Sequence, residues 1–283
     1  MINFRYHALS LVAVFLALAI GVVLGVAIGD KGVVSGARRD LERSLRGDLD
    51  RARGRNADLD SQLSARDDFE RQAYPGLVRG MLRGQAVGMV AVGNLPQDYV
   101  QDVSSAIEPA GARLFSVNVV AAPLPLRDIA GDLSGTRYSR LRSKRQVRRF
   151  GRSIGRQIVA GGALPQRVRH SLFSSSRGEF EPLDAVVLVR DREGLKGRQE
   201  ALEDAFEESF IAGLGRSKAA LAAVERQDAD PSQVGFFKDR GVSTVDDIDL
   251  VAGHAALVYV LAGAEGQFGT GGGKLLPPRP RTR

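Results

Sequence analysis

The 283 residues carry 40 Lys or Arg against 33 Asp or Glu, a net charge of +7, with 43% hydrophobic and 26% charged residues. This allows a short anchor, a stalk and one globular domain with a core, and it argues against wholesale disorder. The absence of cysteine excludes disulfides, thiolate metal sites, cysteine nucleophiles and lipoprotein-type lipidation, and three His and three Met leave few ligands for a soft metal.

Residues 1–7 form a short tail. From Ala8 to Ile28 run twenty-one residues without a charge, ALSLVAVFLALAIGVVLGVAI. At about 1.5 Å per residue, such a helix just spans a hydrocarbon core of about 30 Å. A secretory signal has an apolar region of only about 7–15 residues, and the small-residue triplet Ser35-Gly36-Ala37 lies well beyond the run, so residues 8–29 read as an uncleaved transmembrane anchor. Charge leaves its sidedness open. Arg5 precedes the helix, whereas Lys31, Arg38 and Arg39, offset by Asp30, follow it. Gly21, Gly25 and Gly29 share one face at GxxxG spacing, which lets two helix backbones approach in lipid, although glycine is common in membrane helices generally.

Residues 36–73 read as a coiled-coil stalk. Leu49, Asn56 and Leu63 take a positions and Leu45, Ala52 and Leu59 take d positions of a heptad repeat. A polar residue at a, here Asn56, fixes register and favours two strands. The seam lasts about three heptads before Arg66 interrupts a d position, so it is marginal in isolation. The competing reading is one amphipathic helix folded against its own domain. Coming directly after a membrane helix with its own small-residue face, the seam points to a parallel homodimer.

Tyr74-Pro75-Gly76 marks the end of the helical pattern. Beyond it, the apolar runs Val87–Val92, Leu114–Val120, Ala185–Val189 and Ala219–Val224 lack polar alternation, as strands buried on both faces do. Helical stretches at Asp98–Ala110, Ser139–Ala160, Arg198–Leu214 and Asp249–Ala262 separate or follow them. The expected fold is α/β, a doubly wound, mainly parallel sheet over residues 85–265, followed by a loose Gly/Pro/Arg-rich tail over 266–283.

The basic excess is local. Between Arg137 and Arg169 stand eleven Lys or Arg and no Asp or Glu, leaving 29 basic against 33 acidic residues elsewhere. Arg142, Arg145, Arg149, Arg152 and Arg156 fall in one stripe at spacings of three and four, beside an apolar stripe of Val147, Phe150, Ile154 and Ile158. The stripe is either a solvated helix face or a surface for anionic lipid headgroups, an acidic wall polymer, an acidic protein or nucleic acid, the last being the least attractive ligand without a recognised nucleic-acid-binding fold. Asp246, Asp247 and Asp249 cluster before the last helix, where they could bind a hard cation or, as is commoner, cap the helix. Gly269-Thr270-Gly271-Gly272-Gly273-Lys274 fails as a phosphate loop, since Phe268 stands where a glycine is required and no Ser or Thr follows the lysine. The first strand leads into VAVGNLPQD, without a dinucleotide fingerprint. His170 and His254 have no ligand partners nearby in sequence. No motif supports nucleophilic or metal catalysis, and a non-enzymatic protein without a cofactor is expected.

The opening NFRYHALSLVAVFLALAIGVVLG resembles the N-terminus of the MctB-type copper transport proteins of actinobacteria, as does the late stretch RGVSTVDDIDLVAGHAALVYVLAGAEGQFG. The order of anchor, Leu-spaced coil and α/β domain is similar too, so the resemblance covers most of the chain. It implies a single-pass cell-envelope protein with its N-terminus inside and its domain outside the cytoplasmic membrane, with the outer membrane as the alternative location. It also implies two competing functions. One is copper efflux or resistance through a transport or channel role. The other, drawn from SteB-like corynebacterial relatives, is a coiled-coil partner that acts with a second envelope or cell-division protein to control peptidoglycan hydrolases. Copper enters through the resemblance alone, because Met81, Met89, His170 and His254 form no cluster in sequence and a membrane β-barrel needs many alternating strands of about ten residues. The residues favour a dimeric scaffold.

Overall fold

The computed structural model describes residues 4–28, 31–192, 197–271 and 274–277. They fall into two compact units, Met1–Arg66 and Asp67–Arg283.

The first unit holds α1 (Phe4–Ile28) and most of α2 (Lys31–Val78). Residues Tyr6–Ala27 of α1 are long and apolar enough to cross a membrane and are fully exposed within the chain. Their apolar side chains surround the helix on all sides, as a lipid-facing helix requires. On α2, Arg43–Asp40, Arg51–Asp48 and Arg71–Asp68 pair at i,i+3 spacing, which supports an exposed helix by a few tenths of a kcal/mol per pair, about 0.2–0.5.

Pro75 does not end α2, which continues to Val78. The reason is tertiary. Tyr74, Val78 and Leu82 are buried in the core of the second unit, and the Tyr74 hydroxyl donates to the Ala106 carbonyl at 2.5 Å. The domain therefore begins before residue 85, with the last turns of α2.

The second unit continues with β1 (Ala86–Gly93), α3 (Gln97–Ile107), β2 (Arg113–Val120), α4 (Leu126–Asp132), α5 (Lys144–Ala160), α6 (Ala163–Arg167), α7 (Arg169–Leu172) and β3 (Phe173–Arg177). It then runs through β4 (Ala185–Asp191), α8 (Gly197–Leu214), β5 (Ala220–Val224), α9 (Val234–Lys238), β6 (Ser243–Val245), α10 (Val251–Leu261) and β7 (Gln267–Phe268). The seven strands lie in the order β3-β2-β1-β4-β5-β6-β7. All neighbours are parallel except β3, which pairs antiparallel with β2 at one edge. One core layer packs α3, α10 and the end of α2 on one face of the sheet; the other packs α4, α5 and α8 on the opposite face. The expected doubly wound, mainly parallel α/β fold is present.

Two helix starts, three strands and part of the tail differ from expectation. The helix expected from Ser139 begins at Lys144, because Ser143 accepts from the Gln146 N–H while the Gln146 side chain accepts from the Ser143 N–H, a reciprocal cap. The last helix begins at Val251, after Leu250. Strands β3 and β6 and the short β7 had no apolar run to reveal them. The tail is not loose throughout, since Phe268 of β7 is buried beside β6.

Candidate functional site

In a doubly wound sheet, ligands usually bind at the carboxyl ends of the strands where the strand order reverses, here between β1 and β4. This chain fills that place with its own groups. Gly93, at φ +96°, lets the end of β1 close onto Asp191 of β4: a Cβ at residue 93 would collide with the Asp191 carbonyl. The Asn94 N–H donates to the same carbonyl at 2.6 Å. The Arg192 side chain, only 5% exposed, meets Glu207 at 2.5 Å, Asp204 at 2.6 Å and Glu203 at 3.6 Å. Arg190 pairs with Glu207 at 2.9 Å, donates to Gln233 and lies over the Phe236 ring. Burial holds the Glu203 carboxyl above the ordinary range, against the lowering by the Leu124 N–H and Arg192.

Further along the same edge, Glu225 accepts from Ser232 and from the Gln233 N–H, each at 2.6 Å. The acidic cluster proves to be a brace. Asp247 accepts from the Thr270 N–H at 2.7 Å and its hydroxyl at 2.9 Å, and Asp246 accepts from the Gly271 N–H at 2.8 Å. Asp249 accepts from the Gln227 N–H and faces Arg226, which pairs with Asp102 of α3 at 2.5 Å. None of the three carboxylates caps α10, whose first turn carries no side-chain cap. Burial and the neighbouring Asp247 raise the Asp246 carboxyl above its usual range.

The arginine stripe lies in a groove. α5 packs on α8 through glycines: a Cβ at Gly151 would fall 2.8 Å from the Phe206 carbonyl and one at Gly213 would fall 2.5 Å from that of Arg152, while Gly155 lies against the Phe210 carbonyl. Val147, Phe150, Ile154 and Ile158 are buried beneath. This turns Arg145, Arg149, Arg152 and Arg156 outward into a groove of about 530 Å³, which Arg137 and Arg216 complete from flanking loops. Tyr138, Gln146 and Ser153 also line it. Arg142 precedes the helix and does not line it. Neither Arg137 nor Arg216 was legible as part of the stripe, since each comes from a loop outside the helical repeat.

The remaining sites are exposed or separate. Leu45, Leu49, Leu59 and Leu63 of α2 lie open at about half their full area, 49–57%, and Asn56 is exposed; Ala52 is partly covered. A methyl group added at Gly21 or Gly25 would meet nothing within 4 Å, and Gly29 lies outside the described residues. His170 is exposed, His254 packs edge-on to Tyr74 with ring centroids 5.7 Å apart, Met89 is in the core and Met81 at its margin. Among the described residues no group of three His, Cys, Asp or Glu is arranged to hold a metal ion.

The family model described as copper transport outer membrane protein, MctB, matches residues 1–277, from the apolar helix through the α/β domain. The chain belongs to this family. Its relatives include the copper transporters MctB of Mycobacterium bovis and Mycobacterium tuberculosis, 26% identical over 97% of this chain and 98% of theirs. Within this MctB-family chain the N-terminal apolar helix fits a single-pass membrane protein.

Proposed function

We propose that this MctB-family protein is a non-enzymatic, membrane-anchored scaffold of the cell envelope. It works as a parallel homodimer joined through α2, with its N-terminus inside and its α/β domain on the outer side of the cytoplasmic membrane. There it engages a second envelope or cell-division protein. The observation that carries this reading is the leucine seam of α2, left open along three heptads in the single chain. With about half of each leucine still open, burying it against a partner contributes about 0.7–1.5 kcal/mol, which over four leucines helps hold a coil whose ends are already brought together by the anchor. The filled carboxyl edge of the sheet supports a role without a substrate.

The test is a full-length Leu49→Asp, Leu63→Asp variant, compared with the parent by carboxyl-directed crosslinking in native membranes, since the stalk carries Asp and Glu but no Lys, and by complementation of a deletion strain. Dimer and function are expected to disappear together. Complementation by a monomeric variant would sink the scaffold. Labelling confined to the outer face of the cytoplasmic membrane should reach the α/β domain; a domain that stays unlabelled defeats the topology.

The family match favours a second reading, in which the protein takes part in copper efflux or resistance with copper as its cargo. That reading expects copper accumulation in the deletion strain and copper binding or conductance by the purified full-length protein. A scaffold shows neither binding nor conductance.

A further inference from the structure

We propose that the groove on α5 is a binding site for a soluble, multiply phosphorylated ligand. Among the described residues six guanidinium groups line it, from Arg137, Arg145, Arg149, Arg152, Arg156 and Arg216, and no carboxylate does. Among the described residues none of these six forms an ion pair, whereas the adjacent Arg148 of the same helix is paired with Glu208 at 3.0 Å. The contrast lies on one helix: the arginine facing away from the groove has its counterion, and those facing into it do not.

The other polar groups of the groove are also set to donate. The Gln146 oxygen is consumed by the N–H groups of Arg142 and Ser143, which leaves its amide NH2 without a partner among the described residues. The Ser153 oxygen accepts from Gln157 at 3.3 Å, which leaves its hydroxyl proton to donate. A concavity lined by donors calls for a ligand made of acceptors.

Three features select clustered phosphate. First, the cations are arginines, whose planar forks bind phosphate oxygens two at a time, rather than lysines. Second, six positive charges converge on about 530 Å³, within the range of small-ligand sites, so the matching ligand must concentrate negative charge. An extended acidic peptide spreads its carboxylates, with same-side residues about 7 Å apart. Third, the site is a groove between a helix and two loops, which a compact ligand can enter and a flat lipid surface cannot fill. Like charges at i,i+3 and i,i+4 also disfavour the empty helix, so the ligand relieves a strain built into α5.

The test uses the full-length protein in detergent with sodium tripolyphosphate as the probe, read by titration calorimetry and thermal melting. Tripolyphosphate is expected to bind and raise the melting temperature, with log K falling linearly as log salt rises because bound counterions are released. Arg149→Gln with Arg152→Gln should weaken binding by about tenfold or more per arginine removed, since each loses charge-assisted hydrogen bonds. Arg148→Gln, outside the groove, should leave the affinity unchanged. The proposal is overturned if tripolyphosphate fails to bind, if the double variant binds as the parent does, or if sulfate at the same ionic strength competes equally. It is also overturned if vesicles containing phosphatidic acid bind through Arg149 and Arg152 while tripolyphosphate does not, which would make the groove a lipid surface. The Leu49→Asp, Leu63→Asp monomer should still bind tripolyphosphate, which keeps this result separate from the fate of the dimer.

Discussion

Replacing Arg192 with Met should destabilise the domain strongly from the carboxyl edge of the sheet. Arg192 contacts Glu207 and Glu203, both with side chains only 3% exposed, and is itself 5% exposed. Its removal leaves two buried carboxylates with Arg190 as the one remaining cation in contact among the described residues, through Glu207. Breaking a buried pair from one side costs about 3–5 kcal/mol, while the mostly exposed Asp204 adds less than about 1 kcal/mol. Against a typical total of about 5–15 kcal/mol, that loss is a large fraction. The loss carries a pH signature. Glu203 already has a raised folded-state pKa, from burial first, and losing Arg192 raises it further. A raised folded pKa gives stability that is present below the unfolded value, about 4.3, and is lost as pH rises through the folded value. The deficit of the variant should therefore be largest near pH 7 and shrink toward pH 5, and adding Glu207→Gln should recover part of it. Calorimetric unfolding of the full-length protein across this range is the assay. A deficit below about 1 kcal/mol, or one that does not vary with pH, would refute the reasoning that Arg192 neutralises buried carboxylates at the usual ligand crevice.

Gly155→Ala should destabilise by about 1–3 kcal/mol, because the new methyl meets the Phe210 carbonyl at the α5–α8 contact, whereas Gly235→Ala, with nothing within 4 Å, should be neutral or slightly stabilising; thermal melts distinguish the two. Tyr74→Phe should cost about 1 kcal/mol by removing the bond to the Ala106 carbonyl, measurable by urea unfolding. Burial pushes the His254 imidazole below its ordinary range, so its contribution to stability is complete above about pH 6.5 and is lost as pH falls toward the lowered folded value. His254→Gln should flatten that acid limb of the melting curve between about pH 7 and pH 5, and an unchanged slope would disprove the assignment.

What could be read from the sequence was what repeats locally. β1 and β4 stood out because both faces of each strand are covered, which leaves unbroken apolar runs at residues 87–92 and 185–189. β3, FSSSR, escaped because one edge and much of its surface face solvent, so serines serve as well as valines. β6 and β7 are three and two residues long, too short for any period. The arginine stripe was visible because its spacing is that of a helix, but the groove was not, since Arg137 and Arg216 join it only through tertiary packing of α5 on α8. Asp246 and Asp247 were visible as a cluster and misleading as a cap, because their hydrogen-bond donors lie 23 to 25 residues later. Pro75 marked a helix end that the buried Tyr74 and Val78 override.

That brace between Asp247 and Thr270 sets an order of events during synthesis. Asp247 leaves the ribosome 23 residues before Thr270, an interval of about 1–5 s at ordinary elongation rates. Through that interval both carboxylates must stay hydrated, and the outer edge of β6 has no strand beside it. Closing this corner therefore requires residues 267–271 to be in place, and until then the outer edge of β6 is open to a chaperone or a stray strand.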